Sequence, residues 1–533
     1  MDNLPSGSEH LHDMFKNHGR TLATQRRSRE QTSIELRKKK REEFFIAKRM
    51  EFEGTLSIGS LEPYIPYSLY DDQVTEGLFS DDPKKMDFSL MVYIARLEKE
   101  PEKGQVEFWD MMSFNVLTAL YNILNLAESG SHRQFLVLRI LASVSEDPDI
   151  AVALSDGTDV VKYILWKFTD GTDVVKYILW KFTSFDEKCM GEVLIILSNT
   201  VSTSTIPTST DQALFLIERC RRLCCESPMS HIRALSALVM TKIVDNLEEG
   251  IQLPTNLVDF AGELIVSGEI RLRISGYCLL NAFFYNYRMG NAVVSSDKWI
   301  PALERCTMVD GNESSEIFYL LENLCNFMLP YELTSSKLLE KMWYIIEDPV
   351  FASSDKRLKA LSVLCELSVS SVEKMQLLLD SNPKIKEILA ELLVNANFDT
   401  RRQVLLMLRN LFLNLPHSIP FLAGKKTIEG ISDLLTVMQP DTVIFALECL
   451  KAVLEHGGGP SGDNQRLIGI GDYATLAEEA SVHSRLDFLV SSPNEQVALL
   501  ALEILHTFVD TKEDDAALPD DLKDLENLQL FNF

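Results

Sequence analysis

Past residue 70, apolar residues recur with helical spacing nearly throughout, and one pattern inside them returns at a fixed interval. It reads small-x-apolar-x-Leu-x-Asn. It appears as VLIILSN ending at Asn199, SGYCLLN ending at Asn281, IFYLLEN ending at Asn323 and VLLMLRN ending at Asn410. The intervals are 82, 42 and 87 residues, or two, one and two units of roughly 42 residues. Eroded copies fill the gaps: FLVLRILAS ending at Ser143, ALSALVM ending at Met240 and ALSVLCE ending at Glu366. A helical unit of that length buries its apolar face only against its neighbours. The expected fold is therefore all-α, a solenoid of stacked two- or three-helix repeats whose concave face is lined by the last helix of each repeat. The competing expectation is a compact all-α domain with chance internal similarity. DVVKYILWKF is β-branched enough for a strand but also fits a helix.

Charge divides the chain. Residues 15–49 hold twelve Lys/Arg against four Glu, so this segment is +8 in a chain of −26, and everything outside it sums to −34. A cationic arm on an anionic body predicts contact with an acidic partner or with its own body. A body so acidic repels nucleic-acid phosphates, leaving the arm as the part able to touch them. Uncharged apolar runs of 18 residues are missing, so no transmembrane helix is expected. The first residues (MDNLPSGSEHLHDMF) lack the apolar stretch of a signal peptide. Nine scattered cysteines, clustered only at Cys220, Cys224 and Cys225 and without a CxxC pair, suit a reducing compartment. Gly-rich phosphate loops, GxSxG, HExxH and metal-ligand spacing are absent. No enzyme, no metal and no cofactor are expected.

Within the arm, the basic residues are interleaved with others in a specific order. Phe15-Lys16-Asn17-His18-Gly19-Arg20 is followed by Arg26, Arg27 and Arg29, then Ile34-Glu35-Leu36-Arg37-Lys38, then Lys40-Arg41 and Lys48-Arg49. This segment resembles the importin-β-binding region of importin-α. GLFSDDP (Gly77 to Pro83), ALECLKAVLEHG (Ala446 to Gly457) and the stretch from Asp472 to Asp510 resemble the first and last armadillo repeats of the same family. The resemblance implies a right-handed superhelical armadillo solenoid of about ten repeats with a basic N-terminal arm. It implies an arm over residues 1–58, a linker over 59–69, a solenoid over 70–512 and an acidic tail over 513–533. Residues 26–49 contain no Pro or Gly, so a helix gripped by importin-β is feasible, with Glu35 and Lys39 paired one turn apart. The arm residues assigned to importin-β are Lys16, Arg20, Arg26, Arg27, Arg29, Leu36, Arg37, Lys38, Lys40, Arg41, Lys48 and Arg49.

The resemblance further implies a groove that binds the basic nuclear localisation signals of cargo proteins. There, Trp faces hold Lys/Arg stems and an Asn one turn later holds the signal's backbone. This chain departs from that layout. None of its five Trp (Trp109, Trp166, Trp180, Trp299, Trp343) lies four residues before a repeat Asn. Those places hold Arg139, Ile195, Ser236, Tyr277, Tyr319, Ser362 and Leu406. After Asn199 the run is Thr200-Val201-Ser202-Thr203, without a carboxylate. Most of the N-terminal groove chemistry is therefore expected to be lost. The groove residues that remain as candidates are Asn199, Tyr277, Asn281, Tyr319, Asn323 and Asn410, the two tyrosines being expected to offer a π face. Residues 156–169 (DGTDVVKYILWKFT) recur unchanged at 170–183, beside that N-terminal half. The acidic run from Asp510 to Glu526, with eight Asp/Glu and two Lys, suits an export-receptor contact near the last repeat or a solubilising tail.

The resulting expectation is a nuclear import adaptor that joins signal-bearing cargo to importin-β and shuttles between cytoplasm and nucleus through the pore. Two other readings use the same arm: an adaptor for a specialised non-basic cargo, and an armadillo scaffold that sequesters importin-β.

Overall fold

The computed structural model describes residues 68–506, apart from 100, 113–115, 157–186, 204–209, 248–250, 286, 353 and 459–471. The arm, most of the linker, the 14-residue duplication and the acidic tail lie outside the described residues. Within them are twenty-six α-helices and two short 3₁₀ turns, and no strand.

Ten of these helices form a ladder. They are α1 (Pro83–Lys99), α2 (His132–Val144), α3 (Glu187–Thr203), α4 (Ser230–Asn246), α5 (Ile270–Phe283), α6 (Gly311–Phe327), α7 (Asp355–Ser368), α8 (Phe398–Asn414), α9 (Pro440–Gly458) and α10 (Glu495–Ile504). Each packs on the next along the whole series, and shorter helices fill the spaces behind them. From α3 to α9, successive ladder helices begin 40 to 44 residues apart, which meets the period expected from the sequence. This is an armadillo-repeat solenoid.

Local sequence sets the helix ends. Ser131, Ser354, Asn397 and Asn494 cap α2, α7, α8 and α10 by accepting a backbone N–H from the first turn. Leu415-Pro416 stops α8, and α9 runs out into Gly457-Gly458. The central ladder helices are the most covered. In α5, Leu272, Ile274 and every residue from Gly276 to Phe283 are buried. Such coverage follows from position, because an inner ladder helix has a neighbour on both flanks and a shorter helix behind. Trp299 and Trp343 are core residues of the shorter helices, and the Trp343 indole donates to Ser381 Oγ at 2.7 Å. Eight of the nine cysteines are buried and Cys225 is exposed; burial pushes the Cys220 and Cys365 thiols up to about 12.

At Gly276 a ladder helix passes close to its backing helix. A Cβ there would meet Ile265 Cγ2 at 2.7 Å, Leu264 Cβ at 2.8 Å and the Ala261 carbonyl at 3.0 Å. One of those contacts is backbone, so the methyl group has no cheap way in. Gly276→Ala is expected to destabilise this repeat by about 1–3 kcal/mol. The checks are a lower thermal midpoint and faster amide exchange in residues 256–283 than in residues 398–434.

Candidate functional site

The candidate groove residues all lie on ladder helices, and the structure gives each a partner or a burial that sequence did not foresee. On α3, Asn199 donates to Ser145 Oγ at 2.7 Å, just past the end of α2. On α5, Asn281 is fully buried; its amide donates to the Glu316 carbonyl at 3.2 Å and to Glu316 Oε2 at 3.1 Å on α6. Asn323, on α6, donates back to Asn281 Oδ1 at 3.1 Å. On α8, Asn410 is buried and donates to Ser368 Oγ on α7 at 3.1 Å. Asn199, Asn323 and Asn410 thus tie their helices to the preceding ladder helix, and Asn281 ties α5 to the following one; in all four the amide donor is already engaged.

The tyrosines split. Tyr319 is part-exposed and its hydroxyl pairs with that of Tyr285 at 2.9 Å. Tyr277 has no exposed surface, and its hydroxyl finds no hydrogen-bond partner among the described residues. Burial pushes this phenol up to about 12. The expected π face at Tyr277 is therefore corrected: the ring is packed inside the solenoid, because the C-terminal half of α5 from Gly276 to Phe283 is buried throughout.

Charged groups missed in sequence complete this face. Arg139 on α2 donates through Nε to Glu98 Oε1 of α1 and through Nη1 to Glu192 Oε1 of α3, both at 3.1 Å. Its side chain is 8% exposed, so one buried cation joins three successive ladder helices. Arg273 on α5 pairs with Glu313 on α6 at 2.7 Å. On α8, Arg409 pairs with Glu448 of α9, and the Arg409 and Arg402 guanidiniums stand 5.2 and 5.9 Å from the Phe445 ring centre. Lys374 reaches the last carbonyls of α6, with Nζ 2.7 Å from both the Cys325 and Asn326 oxygens, and so neutralises a helix C-terminus. Sequence held a signal for the ion pairs. Arg139–Glu98, Arg273–Glu313 and Arg409–Glu448 are separated by 41, 40 and 39 residues, one repeat each.

Comparisons with known proteins bear on the arm and on the solenoid. The sequence profile described as the importin beta binding domain matches residues 12–86. Among solved structures, the crystal structure of an engineered protein shares 15% identity with a TM-score of 0.57, covering 82% of this chain and 98% of that one. A designed armadillo repeat protein in complex with the peptide (KR)4 shares 16% identity with a TM-score of 0.38, covering 46% of this chain and 98% of that one. At such identities the first of these superpositions speaks for the fold, and the N-terminal match for the arm. The chain joins a segment similar to the importin beta binding domain to a helical-repeat solenoid.

All twelve arm residues assigned to importin-β, Lys16 through Arg49, fall inside the matched segment and outside the described residues. The solenoid carries no helix long and apolar enough to cross a membrane and no metal-ligating cluster among its described residues. Its ladder face offers part-exposed Tyr319, Asn323, Asn199 and Leu406, set among arginines that are already paired. The structural role of the asparagines is measurable. Asn281→Ala strands Glu316 and the Asn323 amide, and is expected to cost roughly 1–3 kcal/mol of local stability. It should speed amide exchange in α5 and α6 while leaving α8 and α9 unchanged.

Proposed function

We propose that this chain is a nuclear protein import adaptor: its basic arm recruits importin-β and its solenoid carries cargo through the pore, so that it shuttles between cytoplasm and nucleus. It acts by binding alone, without catalysis or a cofactor. The observation that carries this reading is the match of residues 12–86 to the importin beta binding domain. Electrostatics support it. A +8 arm ahead of a −34 remainder favours capture by an acidic receptor, and the interleaved Leu36 and Ile34 add apolar contact that a plain basic tail lacks.

The cargo surface is assigned to the ladder face. A cargo that is not a run of lysines suits it better than a basic signal, because the amides of these helices already donate to serine and glutamate side chains and the carboxylate Glu192 is already held by Arg139. The reading in which the chain sequesters importin-β and carries nothing has the arm in its favour but no feature of the solenoid.

Calorimetric titration of the full chain with importin-β checks the arm. The expected dissociation constant is tighter than ~10 μM, about −7 kcal/mol. Replacing Arg37, Lys38, Lys40 and Arg41 together by Glu should weaken it by at least about a hundredfold, with a steep salt dependence in the parent chain. An unchanged affinity in that variant would remove the arm from the account.

A further inference from the structure

Two arrangements on the ladder helices each hold a cation between acceptors, and in both the cation is the chain's own. In the N-terminal half, two carboxylates from different repeats, Glu98 and Glu192, converge on a single guanidinium, that of Arg139. In the C-terminal half, an aromatic ring and a carboxylate one turn apart, Phe445 and Glu448, converge on Arg409. Paired carboxylates and an aromatic face beside a carboxylate are what a lysine or arginine of a bound peptide would seek. A peptide ammonium would have to displace a guanidinium that is tethered to the same chain and never diffuses away.

We propose that Arg139 and Arg409 are specificity-determining residues that fill the cation positions of the ladder face from within and reserve it for extended segments lacking consecutive Lys/Arg. This rests on the reading that cargo docks on the ladder face. The two sites are independent, lying on α2 and α8, and they reach the same end with different partners. At the first, the arginine is almost wholly covered while Glu98 keeps 37% of its side chain exposed. Removal of the guanidinium would therefore open a carboxylate to solvent rather than a closed void. At the second, Glu448 keeps 26% exposed. In each place the acceptor for a foreign cation is present and accessible once the resident cation is gone.

The test is a gain of binding. A fluorescent Pro-Lys-Lys-Lys-Arg-Lys-Val peptide, and a counterpart with alanine at every basic position, are titrated by anisotropy into the full chain with and without saturating importin-β. The parent chain is expected to bind both peptides alike. Arg139→Met and Arg409→Met should each tighten the basic peptide by roughly tenfold, equivalent to about 1.4 kcal/mol, and leave the alanine peptide unmoved. Arg139→Lys and Arg409→Lys should behave as the parent. The proposal falls if the parent chain already prefers the basic peptide tenfold, or if Arg139→Met/Arg409→Met with parental circular dichroism binds it no better than the parent. Should Arg139→Met fail to fold, Arg409→Met alone decides by the same criterion. Failure of the parent to bind importin-β would instead count against the adaptor reading, since peptide gain is measured without importin-β as well.

Discussion

Burial of the inner ladder helices between their neighbours is the constraint from which the rest of the solenoid follows. A helix flanked by copies of itself has little solvent to satisfy its large polar side chains, so several of them are paired across to a neighbouring repeat. Asn281 illustrates the outcome: fully covered, it donates twice to Glu316 and accepts from Asn323. Arg139 does the same with charge, joining α1 and α3 through α2. Stability and the binding surface are thereby drawn from the same side chains.

Magnitudes decide which of these bonds matter. Lys425–Glu479 and Lys426–Glu391 keep more than half of each side chain exposed, and pairs of that kind contribute about 0–1 kcal/mol. Arg139–Glu192 is covered on both partners, and removing one member of a buried pair costs about 3–5 kcal/mol because the other charge is left without compensation. A visiting peptide cannot cheaply open such a pair. The N-terminal ladder face is thus closed to cations by the same energy that holds its first three repeats together.

The period was legible because it is written in the apolar residues, which answer to local helical geometry. The interval near 42 residues and the ladder positions of Asn199, Asn281, Asn323 and Asn410 follow from it. The direction of a side chain was less legible. Tyr277 and Tyr319 precede their asparagines by the same four residues, yet one ring is buried and the other is part-exposed. Equal spacing from an asparagine does not fix how deeply the surrounding helices cover a ring. Partnership was legible only in retrospect: opposite charges one repeat apart are a pattern, but many charges share that spacing by chance in a chain that is 24% charged.

The duplicated stretch at 156–183 shows how strongly the pairing between repeats sets the register. The start of α3 follows that of α2 by 55 residues, where successive starts from α3 to α9 are 40 to 44 apart. Across α2 and α3, Arg139–Glu192 and Asn199–Ser145 are separated by 53 and 54 residues. Shorter by the fourteen duplicated residues, these become 39 and 40, the separations seen at Arg409–Glu448 and Arg273–Glu313. The contacts between the two ladder helices are therefore those of an ordinary neighbouring pair. A lengthened connection costs little, since closing entropy grows only with the logarithm of loop length, whereas slipping α3 by part of a turn would unpair Arg139, Asn199 and Lys242 together. The solenoid holds its spacing by what faces what across the ladder, and the chain between repeats adapts to it.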